Sequence, residues 1–257
     1  MSKFIDKLNR LSRGETQPIG FRVREPASPK PKIQLIASLA QESAESVTGY
    51  LDGADAGILF ISKLDTGTEV LQKLSQALPD IPWGGRLGSS GWEGIKQLSK
   101  AGCDFIVFSA TDTPLALIEN REAGRILEIE TSLGEGLLRA VNELPVDAVL
   151  VAVEEKHSLT WKHLMLFQRF ADLLTKPLLA SISVKVTGGE LQALWEAGVS
   201  GVVVEVSPEQ PQDSLNRIRR VIDKLEFSLP RRREKVEAFL PRIRGEPDIT
   251  VPQEEEE

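Results

Sequence analysis

Four copies of one phrase constrain this chain more than any other feature in it. A small or acidic turn runs into a β-branched, apolar stretch in GADAGILFI (53–61), GCDFIVFS (102–109), PVDAVLVAV (145–153) and AGVSGVVVEV (197–206). Each copy opens at a Gly or Pro that stops a preceding helical pattern. The starts lie 43 to 52 residues apart, a spacing that marks an internal repeat. Between the copies sit four more apolar runs, KIQLIASL (32–39), IPWGGRLG (81–88), RILEIE (125–130) and PLLASIS (177–183). Short runs with little polar alternation suit a parallel sheet that is covered on both faces.

Helical patterns fill the gaps: 42–51, 68–78, 91–102, 134–144, 158–176, 189–198 and 214–225, with a shorter one at 113–124. Leu71, Leu74 and Leu78, or Leu191, Leu194 and Trp195, give one apolar stripe per helix. Eight strands alternating with eight helices predict an α/β fold, a closed (β/α)8 barrel over residues 32–226. An open, doubly wound sheet would need edge strands with visible polarity, and no strand here shows it. Residues 1–31 read as a separate extension. In it Phe4, Ile5, Leu8 and Leu11 share one face of a short helix, and REPASPKPK (24–32) reads as an extended Pro-rich connector. Burial of that stripe is expected outside the barrel wall or across the amino-terminal end of the barrel, and it also suits a homo-oligomer contact. Residues 227–257 run from a basic segment to four glutamates, which repel one another and are expected to be disordered.

Composition excludes several classes. With 41% hydrophobic residues in 257, the chain has enough apolar material for a core of domain size. The net charge of −7 argues against nucleic acid or an anionic membrane as the main partner. A single cysteine, Cys103, rules out an internal disulfide framework. Together with the lack of an apolar run long enough to span a bilayer and of a signal-peptide pattern, it suggests the cytoplasm.

Strand alternation then nominates a site. With the bulky aliphatic residues facing the helices, each strand ends in an inward polar residue: Ser38, Lys63, Arg86, Ser109, Glu130, Glu154, Ser183 and Glu205. Active sites of such barrels lie at that carboxyl-terminal face. Arg86 and Lys63 suit an anionic group, and Glu130 or Glu154 suits proton transfer. Lys63 also has the chemistry for a Schiff base. Arg86 is expected within ion-pair reach of Glu128, Glu130, Glu154 or Glu205, filling room left by Gly84 and Gly85. A metal held by Glu128, Glu130, Glu154 and Glu205 would have oxygen ligands only, which suits Mg²⁺ or Mn²⁺. In the loop after the sixth strand, His157 is one of two histidines and a candidate acid or base.

The stretch SVKVTGGELQALWEAGVSGVVVEV (183–206) resembles the seventh-to-eighth strand region of phosphate-binding barrels within the (β/α)8 TIM-barrel superfamily. That resemblance implies a phosphate cradled by backbone N–H groups near Thr187, Gly188 and Gly189. Glu205, Val206, Ser207 and Pro208 stand where the pattern wants a second glycine-led turn, and a carboxylate there repels phosphate. Two function classes follow. One is a lyase- or isomerase-like enzyme on a small anionic substrate. The other is a non-catalytic or degenerate barrel that acts as an assembly partner.

Overall fold

The computed structural model describes residues 2–13, 33–41, 49, 51–88, 95–119, 122–152, 159–209 and 213–225. All belong to the unit Met1–Glu226, which is separate from Phe227–Glu257. The acidic tail, the Pro-rich connector, most of the expected 42–51 helix and the loop carrying Glu154 to His157 lie outside the described residues.

Eight strands run in chain order: β1 (Gln34–Ala40), β2 (Ala56–Ile61), β3 (Trp83–Leu87), β4 (Phe105–Ser109), β5 (Gly124–Ile129), β6 (Ala148–Val151), β7 (Leu178–Ile182) and β8 (Val199–Val206). Every neighbouring pair is parallel, and β8 returns to β1 with Gln34 level with Gly201 and Leu39 level with Val206. The sheet is therefore a closed (β/α)8 barrel with no edge strand. Helices α2 (Leu64–Ala77), α3 (Ile95–Lys100), α4 (Glu135–Val141), α5 (Trp161–Leu173), α6 (Gly188–Glu196) and α7 (Ser214–Lys224) connect or follow the strands, and α1 (Lys3–Arg13) precedes them. The expected 113–124 helix is a single 3-10 segment, Leu115–Glu119. No helix among the described residues is long and apolar enough to cross a membrane.

The repeated turn does two jobs. Gly53, Gly102 and Gly198 have φ of 87°, 90° and 96°, the left-handed backbone that glycine adopts at low cost, and Gly102 and Gly198 follow the ends of α3 and α6. The aspartate that follows then ties neighbouring strands together at the amino-terminal end. Asp55 accepts the Leu35 N–H at 2.9 Å and pairs with Arg219 of α7 at 2.7 Å, and Asp147 accepts the Arg125 N–H at 2.8 Å. Asp104 departs from the pattern: its carboxylate accepts the Ser2 hydroxyl and the Lys3 and Phe4 N–H groups at 2.7–2.9 Å. It thus caps α1 from another part of the chain, satisfying orphan donors and favouring the positive end of the helix.

That cap fixes α1 beneath the barrel. Phe4, Ile5 and Leu8 join the inward residues Ile36, Ala56, Ile58, Phe105, Val107, Ile126, Ala148, Leu150, Leu179 and Val203 in one buried cluster. Of the two placements expected for the apolar stripe, the helix takes the one across the amino-terminal end. Phe4, Ile5 and Leu8 are thereby used inside their own barrel, so self-association through this helix would have to use its other faces. Glycines make the socket: a Cβ at Gly124 would press on Ile5 and Ser2, and one at Gly84 would overlap the Phe105 ring. The room at Gly84 is therefore taken by Phe105, not by Arg86 as expected, while Gly85 faces outward towards Ile61, Leu98 and Cys103.

The second cluster lies between the strands and the helices, and holds Leu35, Leu59, Ile61, Trp83, Val149, Val151, Val202 and Val204 from the strands. Cys103 is buried in it, and burial pushes its thiol up to about 12. Because the folded value lies above the unfolded one, this group's contribution to stability is complete below about pH 8.5 and is lost as pH rises through about 12. A disulfide reagent at pH 8 should modify Cys103 of the native chain more than about a hundredfold more slowly than that of the denatured chain. Equal rates would show that the site opens freely.

Candidate functional site

A cavity of about 210 Å³ opens at the carboxyl-terminal end of the strands. Its base is apolar, with Ile58 of β2, Leu150 of β6 and Val203 of β8, which also belong to the buried interior cluster. Its polar lining is Ser38 of β1, Arg86 of β3, Glu128 of β5, Ser181 of β7 and Glu205 of β8, beside Phe60 of β2 and Ala152 just past β6. The position follows from the fold. Alternate residues point inward, α1 plugs the lower half, and the last inward step of each strand is left to face the open end.

Register explains how two charges from non-adjacent strands meet. Arg86 is level with Val107 on β4, Val107 is level with Ile126 on β5, and Glu128 stands one inward step above Ile126. The guanidinium spans the strand between them, and its Nη2 lies 2.6 Å from Glu128 Oε1. The Arg86 side chain is 39% exposed and that of Glu128 14%, so the pair is partly wet and guanidinium donors remain for a ligand. Phe60, level with Arg86 on β2, has its ring centre 5.9 Å from the guanidinium carbon, within cation–π range. Across the mouth, Ser38 is level with Glu205, and Ser181 with Val203, the inward residue below Glu205.

Ser38, Arg86, Glu128 and Glu205, all named from sequence, line this cavity together. The others are placed elsewhere. Lys63 is exposed: β2 ends at Ile61 and Lys63 is the N-cap residue of α2, so the inward tip of β2 is Phe60. Ser109 has inward parity but shares its hydroxyl with Thr111 Oγ1 at 2.8 Å in the loop after β4. Glu130 lies beyond β5, exposed, and accepts the Ser132 hydroxyl at 2.9 Å. Ser183 lies beyond β7 and accepts the Lys185 N–H at 3.3 Å. Glu154 and His157 are outside the described residues.

Gly188 and Gly189 form the first turn of α6 and are absent from the cavity wall. There the helix start is closed by its own side chains. Glu190 Oε2 accepts the Thr187 N–H and hydroxyl at 2.8 Å each, and Thr187 Oγ1 accepts the Glu190 N–H at 3.3 Å. This capping box puts a carboxylate where a phosphate would need bare N–H groups. Among the described residues no three His, Cys, Asp or Glu side chains are grouped to hold a metal ion, and Glu128 is engaged by Arg86.

Sequence reasoning missed Phe60, Ser181 and Gln41. The Gln41 carboxamide oxygen accepts the Ser62 and Lys63 N–H groups at 3.0 and 3.3 Å, and its nitrogen donates to Thr66 Oγ1 at 2.5 Å. It pins the β2–α2 turn to the end of β1. Strand parity run outward from Ile58 and Leu179 would have found Phe60 and Ser181. Nothing in the sequence marks Gln41.

The architecture defines the class: a (β/α)8 barrel with a small polar pocket at its carboxyl-terminal mouth. No family model matches the chain, and no curated protein matches it by sequence. Solved structures do match. A variant of the tryptophan synthase α-subunit from Pyrococcus furiosus is 13% identical with a TM-score of 0.59, covering 75% of this chain and 97% of its own. A second variant of the same subunit gives 0.60 at 13% identity and the same coverage. A protein from Aquifex aeolicus is 14% identical with a TM-score of 0.61, covering 86% of this chain and 96% of its own. At such identities the likeness is one of fold.

Proposed function

We propose that this chain is a lyase- or isomerase-like enzyme acting on a small substrate that carries an anionic group. The observation that carries the reading is the Arg86–Glu128 pair in the wall of a small cavity at the catalytic face of the barrel. Paired charges with desolvated walls are costly to maintain, and a ligand that engages them offsets that cost. The free donors of Arg86 take the anionic group of the substrate. That second anion competes with Glu128 for the guanidinium, and Glu128 stays beside the bound substrate. Glu128 then removes a proton from carbon and returns it, to an adjacent atom in an isomerisation or to the leaving group in an elimination. This role moves from Glu130, which lies outside the cavity, to Glu128, which lines it. The Pyrococcus furiosus α-subunits put the same barrel to use in a synthase.

The alternative, a non-catalytic assembly barrel, rests on the incomplete phosphate motif, on the absence of a catalytic motif such as GxSxG or HExxH, and on the apolar stripe of α1; of these three, the stripe is buried in the barrel interior. A library of small carboxylates and phosphates, incubated with the full chain and followed by mass spectrometry and thermal shift, tests the reading. At least one member should be converted. A ligand at a hundred times its Kd should add about 2.7 kcal/mol to stability. A library without a single binder or converted member would overturn it in favour of the assembly barrel.

A further inference from the structure

We infer that the ligand of this cavity also carries a cationic group, bound by Glu205 with the hydroxyls of Ser38 and Ser181, so that its class is a small zwitterion of amino acid type. The inference rests on the cavity being a ligand site, as proposed above.

Charge balance is the first argument. The described lining holds one cation, Arg86, and two carboxylates, Glu128 and Glu205. Arg86 is already matched by Glu128 at 2.6 Å, which leaves Glu205 as excess negative charge. No Lys, Arg or His among the described residues lies within ion-pair reach of Glu205. Lys63, the cation expected from sequence to share this space, is exposed at the start of α2 instead. A ligand that is only anionic would meet a net negative charge in the described lining.

Placement is the second argument. Glu205, Ser38 and Ser181 come from the consecutive strands β8, β1 and β7, with Ser38 level with Glu205 and Ser181 level with the residue two before it. Among the described residues none of the three makes a side-chain hydrogen bond. Arg86 and Glu128 project from β3 and β5, on the other side of the mouth. The described lining thus offers the Arg86–Glu128 pair at one side and one carboxylate with two hydroxyls at the other. An ammonium has three donors and no acceptor, which complements one carboxylate and two hydroxyl oxygens. A volume of about 210 Å³ corresponds to roughly seven waters at ~30 Å³ each, which limits the ligand to a small molecule.

The test uses the full chain and its Glu205→Gln variant, which keeps the side-chain size. The probes are two- to six-carbon amino acids, the matching carboxylates that lack the amine, and the matching amines that lack the carboxylate. Binding is read as NMR shifts at cavity residues. The best amino acid should bind about tenfold tighter than either of its halves. Glu205→Gln should weaken the amino acid and the amine about tenfold, and leave the carboxylate equal or tighter. If carboxylates bind at the cavity as well as amino acids do, and Glu205→Gln weakens neither, the inference falls while the cavity remains a ligand site. If no probe of any class moves a cavity resonance, the inference falls, and a phosphate series at the same cavity decides whether the proposed function falls with it.

Discussion

Truncating Phe4 to alanine is expected to lower the stability of the folded chain by about 3–5 kcal/mol, although the residue lies outside the barrel repeat. Phe4 is 0% exposed, its ring centre is 4.8 Å from that of Phe105, and both belong to the interior cluster. The surroundings have little freedom to collapse into the space it leaves. The socket walls are strands of a closed sheet, held at the amino-terminal end by Asp55 and Asp147. Leu11→Ala on the same helix is the internal control, because Leu11 is only half-buried and absent from the interior cluster. In urea titrations the Phe4 variant should lose several kcal/mol with an unchanged slope, and its Tm should fall by roughly 10 °C. A loss below about 1 kcal/mol would mean that α1 does not hold the barrel floor in solution.

The barrel was legible because its signal is repeated. An apolar strand of five or six residues is ambiguous by itself, but four copies of a turn–strand phrase alternating with amphipathic helices leave few topologies. Parity was legible wherever bulky aliphatics defined the outer face: Val202 and Val204 on β8, and Val149 and Val151 on β6, lie in the outer cluster as expected. It failed at β2, where Ile58 and Leu59 look alike in composition although one faces in and the other out. The mistaken inward position of Lys63 follows from that ambiguity and from placing the strand end two residues late. Asp104 shows another limit. Asp55, Asp104 and Asp147 occupy equivalent places in the repeat, and only the folded chain reveals that one of them turns to cap α1.

The site was half legible for a related reason. Ser38, Arg86, Glu128 and Glu205 lie on strands, where periodicity fixes direction, and they come together. Glu130 and Ser183 lie one residue past the strands, where the backbone leaves the pleat and alternation stops having meaning. Gly188 and Gly189 matched a motif by type, but the motif depends on empty N–H groups. At the start of α6 the Glu190 carboxylate instead closes a capping box with Thr187, which sets a negative charge beside those groups.

Replacing Arg86 with methionine should show whether the Arg86–Glu128 pair braces the barrel wall or binds a ligand. Methionine keeps much of the length and the apolar stem but removes the planar donor fork. Removing one partner of a fully buried pair costs about 3–5 kcal/mol, since a bare charge is left inside. Here Arg86 is 39% exposed and Glu128 14%, so water reaches the survivor and the expected cost is nearer 1–2 kcal/mol. Glu128→Gln in the same chain removes the stranded charge and should recover most of that loss. Ligand binding should behave differently. Two charge-assisted hydrogen bonds to an anionic group are together worth about 3–4 kcal/mol, so affinity should fall by a hundredfold or more. The second substitution cannot restore it, because the cation is still missing. Stability that recovers in the double variant while binding stays lost places Arg86 on the ligand. Binding that is unchanged in Arg86→Met, with only stability reduced, would make the pair a brace within the barrel wall and nothing more.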